Sequence, residues 1–331
     1  MNAILSLLDE AIACRAPLLA PPHESAVHLF NGFTEGFADL VLDVYGTTLV
    51  LHDYAEHPNL AMIREAAAHV HSSLPWLSAS ITKIRNGKTL DEKRGVPLFG
   101  ERPDRKIREH GVWYAVNLTL NRDASFYLDT RNLRKWLIEN AKGKTVLNTF
   151  AYTGSLGAAA MAGGAERVIQ TDRSRAFLNL AKETYSLNGF PIHKADFLTT
   201  DFFSAVARFK ASRQLFDLVL LDPPFFSTTT KGKVDLVHES ARLINKVRPL
   251  VKDGGMLVAV NNALFVSGKE YLQTLEELCS DGYLNIRDLI PVPQDFIGCN
   301  MVGKPIVDPS PFNHSTKIAV LDVRRKITNV E

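Results

Sequence analysis

From Gly111 onward, apolar runs of strand length alternate with segments of helical period. VWYAVNL, KTVLNTF, ERVIQTD, IHKADF, FDLVLLD, GMLVAVN, LNIRDLIP and KIAVLDV are the strand-like runs. Helices fit at Thr130 to Ala141, Ser155 to Ala162, Ser174 to Leu187, Val234 to Val251 and Lys269 to Gly282. Strands without polar alternation are buried on both faces, and helical crossovers between them impose parallel pairing. The pattern predicts an α/β fold: a Rossmann-like, mostly parallel seven-stranded sheet with helices on both faces. The last two strands, separated by a Pro-rich excursion from Pro291 to Pro311, read as a terminal antiparallel hairpin.

The preceding residues have a different texture. Strand-like runs at Ala38 to Val44, Thr47 to Asp53 and Leu77 to Ile84 are punctuated by Gly32, Gly36 and Gly46, with a helix-like NLAMIREAAAHVHSSL before the last. A length of 331 residues, 46% apolar and 22% charged, suits two globular domains with real cores. The expected division is 1–25 as an amphipathic helix and linker closed by Pro21-Pro22, 26–115 as a small α+β domain, and 116–331 as a catalytic domain. Residues 83–110 carry nine basic and five acidic residues with little apolar periodicity, which predicts an exposed hairpin or connecting arm. It reads either as a solvated loop or as a surface on which Arg85, Lys88, Lys93 and Arg94 neutralise phosphates, setting affinity without setting specificity.

Other classes are disfavoured. A net charge of +2 neither demands nor forbids a nucleic-acid partner, so any basic surface must be local. Cys14, Cys279 and Cys299 stand far apart without a C-x-x-C pair, which argues against a disulfide framework and against a metal site. No apolar run approaches the roughly 18 residues of a membrane span, and no signal-peptide pattern opens the chain. The expectation is a cytoplasmic protein with no membrane and no metal.

KTVLNTFAYTGSLGAAAMAGG is an apolar strand, a turn holding Gly154 and Gly157, then a small-residue helix able to approach the sheet closely. That is a nucleotide-binding arrangement, because backbone N–H groups at a bare turn and helix N-terminus can meet an anionic or polar ligand. T-G-S-L-G lacks the first glycine of a dinucleotide fingerprint, and no Lys-Ser/Thr follows, so a P-loop is excluded. The next strand ends at Asp172, where a carboxylate can accept both hydroxyls of a ribose. Asp196 and Phe197 repeat the pattern after the third strand, an acid and an aromatic suited to adenine's amino edge and face. Each acid has a plainer reading as a helix cap, and each aromatic as core. FDLVLLDPPFFS then ends a buried strand at Asp222, with Pro223 and Pro224 fixing a rigid turn that presents Phe225.

The glycine loop and the D-P-P-F turn together resemble the S-adenosylmethionine-dependent class I methyltransferases, and D-P-P-[FY] resembles those acting on nucleobases. SFYLDTRNLRKWLIENAKGKTVLNTFAYTGSLG is further similar to the F-F-L-D-x-R and K-x-V-L-N-x-F-x-Y-T-G stretches of the 23S ribosomal RNA large-subunit methyltransferases, a family spanning cytosine-C5 and guanine-N7 enzymes. NGFTEGFADLVLDVYG resembles that family's small domain, thought to help hold RNA. The resemblance implies S-adenosyl-L-methionine as cofactor and an RNA partner. It implies that Phe126, Asp129 and Arg131 line the cofactor side and that Phe150, Tyr152, Thr153 and Gly154 form its loop. Asp172 would hold the ribose, Asp196 and Phe197 the adenine, and Asp222, Pro223, Pro224 and Phe225 the acceptor base. Arg131 has an alternative as an ion pair with Asp129 or a neighbour. The PUA-like domain of part of the family does not fit before residue 25.

Methylating cytosine C5 requires a cysteine thiolate to add at C6. Such a cysteine should follow the fourth or fifth strand, where the sequence reads DPPFFS and VAVNNALF, so that reaction is disfavoured. A base nitrogen carries its own lone pair and needs only position and desolvation. Asn261 and Asn262 resemble the Asn pair of the guanine-N7 branch and could read a base edge, or serve as a turn signal. A guanine nitrogen is the expected acceptor; a small-molecule methyltransferase and a non-catalytic RNA-binding protein remain as alternatives.

Overall fold

The computed structural model describes residues 2–100, 102–303 and 305–325. The chain divides into two compact units: one takes in residues up to Arg131 together with Pro293–Pro305, the other Asn132–Val292 and the chain from Ile306. The expected boundary at 116 therefore moves, and residues 326–331 of the expected catalytic domain lie outside the described residues.

In the first unit, β1 (Ala26–Asn31), β2 (Leu40–Tyr45), β3 (Thr48–Asp53), β4 (Ala79–Ile84) and β5 (Val96–Phe99) form one sheet in sequential order. Only β3 and β4 pair in parallel, joined through α2 (Leu60–Ser73). The N-terminal helix α1 (Asn2–Cys14) is no free linker: Ile4, Leu8 and Ala11 are buried in the same core as Leu29, Leu49, Ile63 and Val70. β1 escaped the sequence reading because His28 interrupts its apolar run; its imidazole is buried and bonded through Nδ1 to Asp43 at 2.6 Å, with His52 on the other carboxylate oxygen at 3.1 Å.

The charged stretch 83–110 is structured, not a loose arm. Thr89 and Glu92 make a capping box on α3 (Leu90–Arg94), β5 joins the main sheet, and β6 (Lys106–Glu109) pairs with β7 (Val112–Ala115). VWYAVNL thus builds a two-stranded ribbon of the first unit, not the parallel sheet. Cys14 and Cys299 form a disulfide, a correction to the expectation of three unpaired cysteines. It became possible because residues 293–305 return to this unit: Asn31 Nδ2 donates to Phe296 O at 2.8 Å and Arg15 Nη2 to Asp295 O at 3.0 Å. Spacing in sequence says nothing of a pairing across 285 residues.

The second unit is built on seven strands, β8 (Thr145–Asn148), β9 (Arg167–Asp172), β10 (Phe197–Thr199), β11 (Phe216–Leu221), β14 (Val251–Asn261), β15 (Leu284–Ile290) and β16 (Lys317–Val323). A separate hairpin, β12 (Phe226–Thr229) with β13 (Gly232–Asp235), leaves the end of β11. The order is β10-β9-β8-β11-β14-β16-β15, with β16 antiparallel to both neighbours. Helices α4 (Arg131–Asn140), α5 (Ser155–Ala162), α6 (Arg175–Leu187), α7 (Phe202–Ala211), α8 (Ser240–Val247) and α9 (Gly268–Cys279) lie between the strands. Leu218 and Leu220 of β11 face one core and Val219 and Leu221 the other, as strand alternation between two helical layers requires. The helix expected over 234–251 is shorter, because the chain first closes the hairpin. The strand order reverses between β8 and β11, and in open α/β sheets ligands bind at the carboxyl ends of strands flanking such a reversal.

Candidate cofactor and acceptor site

The loop after β8 is fastened to both neighbouring strands. The Thr149 N–H and hydroxyl donate to Leu220 O at 3.1 and 2.8 Å, and Ala151 N–H donates to Thr171 O at 2.9 Å. Tyr152 and Gly154 have φ of +49° and +78°, turning the chain sharply into α5. A Cβ on Gly154 would lie 2.5 Å from Ala181 Cβ, and one on Gly157 2.5 Å from Gln170 Oε1. Both glycines are therefore bare because the helix is seated hard against β9 and α6, which also fixes where its N-terminal N–H groups point. Phe150 stacks on Phe202 at 4.8 Å, Tyr152 meets Phe177 edge-on at 4.6 Å, and Thr153 is buried.

Asp172 ends β9. Its carboxylate accepts the N–H of Tyr152 at 2.9 Å and of Ser174 at 2.8 Å, so it binds the glycine loop to the turn after its own strand. Burial raises its pKa, while these N–H bonds favour the ionised form.

Asp196 and Phe197 do not repeat this arrangement. Asp196 lies before β10, at the amino end of the sheet, and is buried against Arg167 Nη2 at 2.6 Å; Phe197 is buried edge-on to Tyr185. The residue at the carboxyl end of β10 is Asp201, whose oxygens accept Ser204 N–H at 3.1 Å and its hydroxyl at 2.5 Å. Those bonds outweigh burial and hold its pKa below the usual carboxylate value. The signal was present: T-T-D-F-F repeats the acid–aromatic pair five residues later. The strand was simply placed too early.

β11 ends in Asp222, which is half-buried, then Pro223, buried, with Pro224 and Phe225 exposed. The Pro223 carbonyl accepts Asn262 Nδ2 at 3.3 Å, tying the ends of β11 and β14 together, and the buried Oδ1 of Asn262 has no hydrogen-bond partner among the described residues. Asn261 is fully buried: its amide donates to Leu236 O at 3.2 Å and accepts Ala263 N–H at 2.9 Å. It is scaffold and cannot reach a base, correcting half of the expected Asn pair.

Three expected cofactor residues fall in the first unit. Phe126 is buried against Tyr114 and Asp129 is half-buried. Arg131 is spent within that unit, donating to both Asp295 oxygens at 2.6 and 3.0 Å, to Glu109 at 3.2 Å and to Ala26 O at 2.7 Å. The ion-pair alternative for Arg131 holds, with Asp295 and Glu109 as partners. Of the four basic residues, Arg85 pairs with Asp123 at 3.1 Å, Lys88 and Arg94 are exposed and Lys93 is half-buried. Cys279, on α9, is the free cysteine, its thiol pKa raised by burial; none follows β11 or β14. The described residues hold no metal-ligand cluster and no helix long and apolar enough to cross a membrane.

The family profile described as S-adenosylmethionine-dependent methyltransferase matches residues 88–291. The chain belongs to this family. Ribosomal RNA large subunit methyltransferase I of Vibrio cholerae is 32% identical over 259 residues, 76% of this methyltransferase and 64% of that one. This chain thus spans a little under two thirds of that relative's length. Ribosomal RNA large subunit methyltransferase K/L of Shewanella frigidimarina is 30% identical over 232 residues, 68% of this chain and 32% of that one. SMU.776, a methyltransferase crystallised with S-adenosylhomocysteine, has the same fold, with a TM-score of 0.84 at 23% identity over 97% of this chain and 81% of that one. The methyltransferase uses S-adenosylmethionine, and the donor set at the strand ends fits that molecule: a half-buried carboxylate on β9, a second after β10 and a pinned backbone loop between helix and sheet.

Proposed function

We propose that this methyltransferase modifies RNA, and specifically a large-subunit ribosomal RNA, by direct transfer to a base nitrogen, guanine first among the candidates. The observation that carries the reading is the Asp222-Pro223-Pro224-Phe225 turn, cross-tied through Asn262, on the strand beside the cofactor loop. The names of the Vibrio and Shewanella relatives support the choice of ribosomal RNA. An enzyme with that substrate works in the cytoplasm.

S-adenosylmethionine supplies an electrophilic methyl group on a sulfonium. Asp172 would take the ribose hydroxyls, the backbone from Phe150 to Gly154 the methionyl end, and Asp201, replacing Asp196, the adenine amino group. Phe225 would stack on an extruded base, since a base within a duplex cannot reach a strand-end pocket. Asp222 and the second lone pair of the Pro223 carbonyl would accept N–H groups of the base; where the methylated atom is an amino or imino nitrogen its proton would go to the Asp222 carboxylate, whereas N7 carries none to remove. The Asn262 amide, tied to that turn from the end of β14, would read the base edge. A nitrogen acceptor fits the placement of the sulfur atoms: Cys14 and Cys299 are bonded to each other and Cys279 is on α9, so none is placed to add to a pyrimidine.

Nucleoside mass spectrometry of ribosomal RNA from cells with and without the gene tests this. The expected result is loss of one methylated guanosine. Loss of 5-methylcytidine would refute the nitrogen acceptor, and an unchanged profile would refute ribosomal RNA as substrate.

A further inference from the structure

The second unit buries or half-buries every phenylalanine except three. Phe225 is 45% exposed, Phe226 54% and Phe265 63%, and Leu264 beside the last is 40% exposed. Apolar side chains scattered singly over a surface need no explanation, but these all follow the carboxyl ends of two adjacent parallel strands, β11 and β14.

Their loops are also held from within the fold by hydrogen bonds. Leu236 N–H donates to Phe225 O at 3.2 Å, and Leu236 O accepts Asn261 Nδ2 at 3.2 Å, so the hairpin base stitches both loops to one support. Beneath Leu264 and Phe265, the fully buried Lys317 donates to the carbonyls of Ala263 and Val266, each at 3.0 Å, and of Ser315 at 2.5 Å. A loop free to collapse would bury its phenylalanine; this one is clamped from below with the ring outward. The hairpin that carries Phe226 also carries cations. Lys231 is exposed at the hairpin tip and Lys233 beside it, the hairpin is tethered by Arg173 Nη1 to Thr228 O at 3.3 Å, and Asp235 is buried and paired with Lys233 at 3.0 Å.

We infer that Phe226 and Phe265 form a stacking platform for bases neighbouring the target, so that the substrate is an unpaired stretch of RNA and not a duplex. This rests on the RNA reading above and adds the strand state of the substrate and two residues that position it. Exposed planar rings, one of them on a hairpin with a lysine at its tip, suit single-stranded nucleic acid, because every base offers a π-face and every nucleotide a phosphate.

The test uses the full-length protein with S-adenosylhomocysteine and a fluorescein-labelled 12-nucleotide RNA of mixed sequence, alone or annealed to its complement, read by anisotropy at low salt. Phe265→Ala and Phe226→Ala should each weaken single-strand binding at least about fivefold, the low end for one base–aromatic stack. Phe265→Trp should retain binding and Phe265→Leu should not. Alanine variants that bind like wild type, leucine serving as well as tryptophan, or a duplex bound as tightly as the single strand would each overturn the platform. So would a wild-type dimer that alanine converts to monomer in sedimentation, which assigns the face to a second copy. If wild type binds S-adenosylhomocysteine but neither RNA, the RNA reading itself fails.

Discussion

Single residues in this methyltransferase carry two duties at once. Asp172 offers a carboxylate at a strand end and simultaneously fastens the Tyr152 and Ser174 amides. Asp172→Ala should therefore weaken S-adenosylhomocysteine binding about tenfold in titration calorimetry, near 1.4 kcal/mol, and also lower the thermal midpoint. Asp222→Ala should abolish transfer with the calorimetric affinity nearly intact; a variant that still methylates would remove Asp222 from the reaction. Gly157 and Gln170 are matched in shape, since a Cβ on the first would lie 2.5 Å from the second's Oε1. Gly157→Ala should cost about 1–3 kcal/mol by overpacking, and adding Gln170→Ala should recover most of it in a urea double-mutant cycle. Full additivity would show that the two do not touch.

Elements here are positioned by buried polar groups as much as by apolar faces. The β14–α9 connection follows the Lys317 ammonium, and Lys83 does the same in the first unit, donating to the carbonyls of Arg94, Asn121 and Asp123. Lys317→Met keeps the stem and removes the donors, leaving carbonyls of Ala263 and Val266 unsatisfied. The expected loss is about 3 kcal/mol in urea unfolding, given about 1–3 kcal/mol for each buried group left unmade; an unchanged midpoint would place the clamp elsewhere. α5, α6 and the strands β8, β9 and β11 are legible in the sequence, because their apolar periods are uninterrupted and Ser174 and Gly154 mark helix starts. The β12–β13 hairpin and α7 are not. F-F-S-T-T-T-K-G-K has no period, and F-F-S-A-V-A-R-F is overshadowed by the apparent strand I-H-K-A-D-F, whose acid–aromatic pair stands at the start of β10 and not after it.

For the whole molecule, burial of Lys83 and Lys317 lowers both ammonium pKa values from 10.5 to about 8. The unfolded chain keeps those protons up to about 10.5 while the fold gives them up near 8, so their contribution to stability rises as pH climbs through that window. Chemical denaturation at pH 8 and 10 should show that rise diminished in the Lys317→Met variant. Asp43, held well below the carboxylate range by His28 and His52 despite its burial, acts with the same sign at lower pH. Its stabilisation is present above the ordinary value of 3.8 and is lost as pH falls below it.

By itself the sequence determined the class of sheet, the glycine loop after β8, the strand-end position of Asp172 and the D-P-P-F turn. Each is a local matter: hydrophobic period, a bare turn, or an acid at the end of an apolar run. Tertiary structure decided the rest. It placed Asp201 at the carboxyl edge and turned Asp196 away, gave Arg131 to Asp295, buried Asn261, and joined Cys14 to Cys299 by carrying residues 293–305 back to the first unit. Those outcomes depend on which distant groups meet, and pairings of buried charge and amide are set by burial that no local pattern encodes.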